Sequence, residues 1–84
     1  MRVSVISAER AVFEGEAHAV VVPAYDGLVG ILPRHAPFMT LLGKGVVTIR
    51  RSEGTQKVDV SGGFLQVAKD VVRIVARSAS TTGS

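Results

Sequence analysis

Glycines, prolines and short polar turns punctuate this chain too closely for a long amphipathic helix, and the segments between them keep a two-residue period. Val3 and Val5 alternate with Arg2 and Ser4, and Val58 and Val60 alternate with Lys57, Asp59 and Ser61. Such alternation marks strands with one buried face. Ala11–Phe13 reads as a short strand ended by Glu14-Gly15-Glu16. His18–Pro23 is valine-rich, and β-branched residues suit a pleated surface. Tyr25-Asp26-Gly27 is a turn signal, and Leu28–Leu32 is its return strand, where Gly30 suggests a bulge or a close backbone approach. Val46–Arg50, Phe64–Ala68 and Val71–Arg77 complete the strand pattern. Ser52-Glu53-Gly54 and Lys69-Asp70 supply turns, and Gly62-Gly63 breaks or bulges the strand that crosses it. Phe38–Leu42 is the most helix-like piece. Short strands at this spacing predict an all-β fold, a small antiparallel sandwich or flattened barrel of about eight to ten strands. The domain is expected over residues 1–78, with 79–84 as a small polar disordered tail.

Eighty-four residues make one domain with a modest core. There is no cysteine, hence neither a disulfide nor a thiolate zinc site. No apolar run approaches the roughly 18 residues of a membrane helix, and the residues after Arg2 do not form the apolar stretch of a secretion signal. Residues 1–30 carry −2 and residues 31–84 carry +5. That asymmetry suits either a surface that orients a docking partner or an ordinary solvated surface, the second being commoner.

Catalytic motifs are missing. Ser61-Gly62-Gly63 lacks the earlier glycine of a nucleophile elbow. Gly43-Lys44-Gly45 lacks both the first glycine and the Ser or Thr of a phosphate loop. His18 and His35 share no metal-ligand spacing. Pro33 and Pro37 stiffen the loop that carries His35. Two readings stand for that residue: a contact element that loses little entropy on docking, or a histidine bonded to local backbone. Leu28-Val29 and Phe38-Met39 likewise suit either an exposed docking patch or the core. A basic β-barrel binding nucleic acid is the alternative function. It is disfavoured because Phe13, Tyr25, Phe38 and Phe64 do not alternate with cations along any strand.

The stretch V-V-V-P-A-Y-D-G-L-V-G-I-L-P-R-H-A-P from Val20 to Pro37, with V-S-G-G-F-L-Q-V from Val60 to Val67, resembles the N-terminal β-sandwich of the epsilon subunit of F-type ATP synthases. Val3–Phe13 and Val71–Ala76 extend the resemblance to nearly the whole chain. The resemblance implies a non-catalytic rotor subunit of a proton-translocating ATP synthase that joins the membrane c-ring to the gamma subunit. No cofactor, metal or nucleic acid is implied, and membrane contact is only indirect, through the ring. The implied location is peripheral, on the cytoplasmic face of a bacterial inner membrane or the equivalent ATP-producing side. Carried over by position, Ser7, His35, Thr40 and Val46 would face gamma. Asp26, Gly27 and Leu28 would face the c-ring, with Arg34 close by. The family often has an acid where Leu28 stands and a glycine where Arg34 stands, so an acidic group on the ring facing Arg34 is expected. The family's C-terminal helical hairpin has no counterpart here, so ATP sensing and hairpin-based inhibition are expected to be absent.

Overall fold

A computed structural model describes residues 1–81, and they form eight strands without a helix. These are β1 (Arg2–Ser7), β2 (Ala11–Glu16), β3 (Ala19–Ala24), β4 (Gly27–Ile31), β5 (Phe38–Leu41), β6 (Lys44–Arg51), β7 (Gly54–Ala68) and β8 (Val71–Thr81). The hydrogen-bonded order is β2-β1-β8-β7-β6-β3-β4, and β5 pairs with β7 off that path. All pairings are antiparallel except β1 with β8.

One sheet becomes two layers because β7 bends. Its first half, Gly54–Ser61, pairs with β6, and its second, Phe64–Val67, pairs with β5. The bend is at Gly62 and Gly63, whose φ angles of 71° and 107° are open to glycine and rare for other residues. A Cβ on Gly63 would lie 1.9 Å from the Val75 carbonyl oxygen. Layer one therefore contains β2, β1, the first half of β8, the second half of β7 and β5. Layer two contains the other halves of β7 and β8 with β6, β3 and β4.

The two-residue period decides what lies between the layers. Val3, Val5, Val20, Val22, Val47, Ile49, Val58, Leu65 and Ile74 are fully buried. Each fully buried side chain of this kind contributes about 1.5–3 kcal/mol.

Four expectations need correction. Phe38–Leu41 is a strand, since its alternation of inward Phe38 with outward Met39 and Leu41 outweighs helix propensity. Gly30 makes neither bulge nor close approach: it pairs regularly with Val21, and a Cβ there would meet nothing within 4 Å. Glu14-Gly15-Glu16 does not end β2 but forms its second half, paired with β1. The tail expected from residue 79 instead has Ala79–Thr81 paired with β7. Residues 82–84 lie outside the described residues.

Register separates the loops into two ends. One end carries the Ser7–Arg10 turn, the Tyr25–Asp26 turn, Leu42-Gly43 and the Gly62–Gly63 bend. The other carries the β2–β3 connection, the loop 32–37, the Ser52–Glu53 turn and the Lys69–Asp70 turn.

Candidate functional site

The outer faces of the two layers differ in kind. On layer one, Leu41 pairs with Phe64, Phe64 with Val75, Val75 with Ile6 and Ile6 with Ala11. Register partners share a face, so five strands contribute one continuous apolar row. Leu41 and Met39 are each 62% exposed, and Ile6, Phe64 and Val75 are half-buried. The next row toward the opposite end is polar: Gln66, Arg73, Ser4 and Glu14 follow Met39 across the same strands. On layer two, Lys44, Thr48 and Arg50 of β6 stand opposite Ser61, Lys57 and Thr55 of β7. Val46, 37% exposed, stands opposite Asp59, and half-buried Val21 beside Thr48 and exposed Leu28 on β4 share that face.

A second apolar feature caps the first end. Tyr25 and Leu28, 67% and 74% exposed, flank Asp26 and Gly27 in the β3–β4 turn. The Tyr25 N–H donates to the Leu41 carbonyl (3.0 Å), so this tip adjoins the end of the row.

Sequence-derived site residues divide between these surfaces. Ser7 is buried at the end of β1. Its hydroxyl donates to the Arg10 carbonyl (3.2 Å) and accepts from the Glu9 N–H (3.4 Å), so it caps its own turn. Thr40 shares the inward side of β5 with Phe38. Both border the row, as Ser7 follows Ile6 and Thr40 precedes Leu41. Val46 is on the other layer and is not brought together with them. His35 lies in the loop leading into β5, where Nδ1–H donates to the Ala36 carbonyl (2.7 Å) and the ring packs 5.0 Å from Phe38. The local backbone bond is thus made.

Arg34 is not beside the tip. Its N–H donates to the Asp70 carboxylate (2.9 Å) with φ at 67°, and Asp70 is in the β7–β8 turn at the opposite end. The cause is β4 itself, which carries the chain from Gly27 beside Ala24 to Ile31 beside Val20 before the loop begins.

The row was missed because each member reads as an ordinary strand residue. The available signal is phase. Ile6 breaks the alternation set by Val3 and Val5, and Val75 is out of phase with Val72, Ile74 and Ala76. Phe64 is out of phase with Leu65 and Val67.

Elsewhere, Arg51 reaches from layer two to within 5.3 Å of the centre of the Phe13 ring on β2 and pairs with Glu53 at 3.4 Å. The Glu53 carboxyl is held below its ordinary value by its backbone N–H, then by the Arg51 charge and the Ser52 hydroxyl. Among the described residues no three His, Cys, Asp or Glu side chains gather as a metal site. No helix among them is long and apolar enough to cross a membrane. The aromatic rings are dispersed: Phe13 lies under Arg51, Phe38 packs on the core, Phe64 sits in the row and Tyr25 at the tip.

Comparison with known proteins gives a consistent answer. The sequence pattern described as ATP synthase, Delta/Epsilon chain, beta-sandwich domain matches residues 1–82. An ATP synthase epsilon chain of Leptospira borgpetersenii is 44% identical over 75 residues, covering 89% of this chain and 59% of the relative. One from Moorella thermoacetica is 45% identical over 80 residues, covering 94% and 60%. The chain thus spans 59–60% of the length of these relatives. Among solved structures, a chain of the Euglena gracilis mitochondrial ATP synthase, in its OSCP/F1/c-ring assembly, superposes with TM-score 0.85. Its identity is 22%, covering 94% of this chain and 51% of that one. A chain of the Tetrahymena thermophila mitochondrial ATP synthase central stalk and c-ring superposes with TM-score 0.75 at 15% identity, covering 94% and 64%. At these identities the superpositions establish the fold.

Proposed function

The chain belongs to the family of ATP synthase delta/epsilon-chain β-sandwich domains, and from that premise we propose that it acts as a non-catalytic rotor subunit. It couples c-ring rotation to the gamma subunit of a proton-translocating F-type ATP synthase. The observation that carries this reading is the apolar row on layer one. A sheet face bearing Leu41, Phe64, Val75 and Ile6 in register is unfavourable in water and is stabilised when a partner covers it. Its polar border of Gln66, Arg73 and Glu14 matches the core-and-rim arrangement of protein interfaces.

In this reading gamma covers the row, with Ser7 and Thr40 at its margin and His35 at the far end of β5, while Val46 lies on the other layer. The tip formed by Asp26, Gly27 and Leu28 faces the c-ring. Arg34, at the far end, takes no part in ring docking, and no acidic ring residue is needed to meet it. The body between the two contacts is stiff because β7 and β8 run through both layers and bind them as one folded sheet. Torque applied at the tip therefore reaches the row with little loss to bending. Catalysis belongs to other subunits. The subunit is peripheral, at the ATP-producing face of the membrane, which in a bacterium is the cytoplasmic face.

The test is co-elution of the chain with its cognate gamma subunit, followed by capture of that pair on purified c-ring. A one-to-one complex that then binds the ring supports the reading. A chain that elutes alone at tens of micromolar (about −6 kcal/mol of affinity or weaker) overturns it.

A further inference from the structure

Strands β2 and β4, at the two ends of the hydrogen-bonded path, are built differently, and the difference has a consequence for the free subunit. Edge strand β2 is guarded. It carries Glu14 and Glu16, both ion-paired with Arg2, and its register slips between Val5 and Ile6 of its neighbour. Charges and irregularities of this kind deter further strand pairing. Edge strand β4 reads G-L-V-G-I, with no charge and no proline, and pairs only with β3.

Which backbone groups β4 leaves open follows from Pro23. Proline has no N–H, so Pro23 and Leu28 cannot be a pair that exchanges two hydrogen bonds. The Pro23 carbonyl indeed points away from β4, accepting from the Gly43 N–H at 2.8 Å. Pairs alternate along an antiparallel ladder. Val22–Val29 is therefore a bonded pair, and Val21–Gly30 is again non-bonded. The N–H and C=O groups of Leu28 and Gly30 accordingly point out of the sheet edge.

We propose that this edge is a self-complementary pairing surface, and that its occupant in the free subunit is the β4 strand of a second copy of this chain. Two β4 strands set antiparallel about Val29 bring Leu28 of each copy opposite Gly30 of the other. Both Leu28–Gly30 pairs then exchange N–H···O bonds, which satisfies the outward groups. Side chains fit as well. Leu28 is exposed, and the space above Gly30 is open, so each leucine lies over the other copy's missing side chain. No charge opposes the approach. The interface is isologous, as a two-fold dimer requires. A single strand pairing buries less surface than the roughly 1,200 Å² of a stable complex. The dimer is therefore weak and exchangeable, and it does not rest on the rotor reading, although Leu28 belongs both to its seam and to the tip that reading turns toward the ring.

Sedimentation equilibrium on the chain, from about 10 µM to about 1 mM, tests the proposal. The expected result is a concentration-dependent dimer. Gly30→Pro removes one outward N–H and leaves the β3 bonds intact, so it should weaken the dimer at least tenfold. Leu28→Lys places a charge at the seam on an exposed position that the fold does not use, so it decides the matter should Gly30→Pro fail to fold. Glu14→Ala on the guarded edge should leave the dissociation constant unchanged. A chain that stays monomeric throughout overturns the proposal, and so does a dimer indifferent to Leu28→Lys.

Discussion

The outer faces of layer one and layer two come from the same sheet, and β7 and β8 contribute to both. Yet one presents Leu41, Phe64, Val75 and Ile6 in a row, and the other presents Lys44, Thr48, Arg50, Lys57 and Asp59 with Val46, Val21 and Leu28 set among them. Both inner faces are equally apolar, because the core demands it. Outer faces are free of that demand, so an apolar outer row has no role in folding that water-loving residues would not fill as well. The contrast separates residues kept for stability from residues available for docking.

Gly63→Ala attacks the bend on which the contrast depends. The φ of 107° and the approach to the Val75 carbonyl are both incompatible with a Cβ. We expect a loss of more than about 3 kcal/mol, read as a lower denaturant midpoint or as failure to fold. Next, Val75→Glu should weaken gamma binding about 100-fold, while Val46→Glu should change it less than about threefold. Isothermal titration of the two variants measures the difference, and similar losses would erase the distinction between faces. Arg51→Ala should cost about 1 kcal/mol of stability, because it removes the cation over Phe13 that ties β6 to β2 and the local pairing with Glu53 in the β6–β7 turn. Gamma affinity should not move. The smallest effect concerns pH. The Glu53 carboxyl is depressed in the fold, so its contribution is whole above its ordinary value of 4.5 and is lost as pH falls through the folded value. Melting temperatures of wild type and Glu53→Gln should therefore differ at neutral pH and converge in acid.

The sequence already showed the strand pattern because inward-facing valines impose a period of two, and turn chemistry located the hairpins at Tyr25–Asp26, Ser52–Glu53 and Lys69–Asp70. Gly62-Gly63 was legible as a break, but not as the fold line between layers, since that depends on β7 having different partners on either side. The docking row was only latent. Ile6, Phe64 and Val75 are out of phase with their neighbours, and an apolar residue out of phase looks the same as one in phase until register fixes the face. Leu28-Val29 and Phe38-Met39 each split as a strand requires, one residue out and one in. Arg34 was misplaced because proximity in sequence to the tip hides the length of β4.

Whether gamma covers layer one is read most directly with a photo-crosslinking phenylalanine analogue at Phe64, and separately at Val46, in the assembled enzyme. The expected result is a crosslink to gamma from position 64 and none from position 46. Gamma captured from position 46, with position 64 silent, would contradict it.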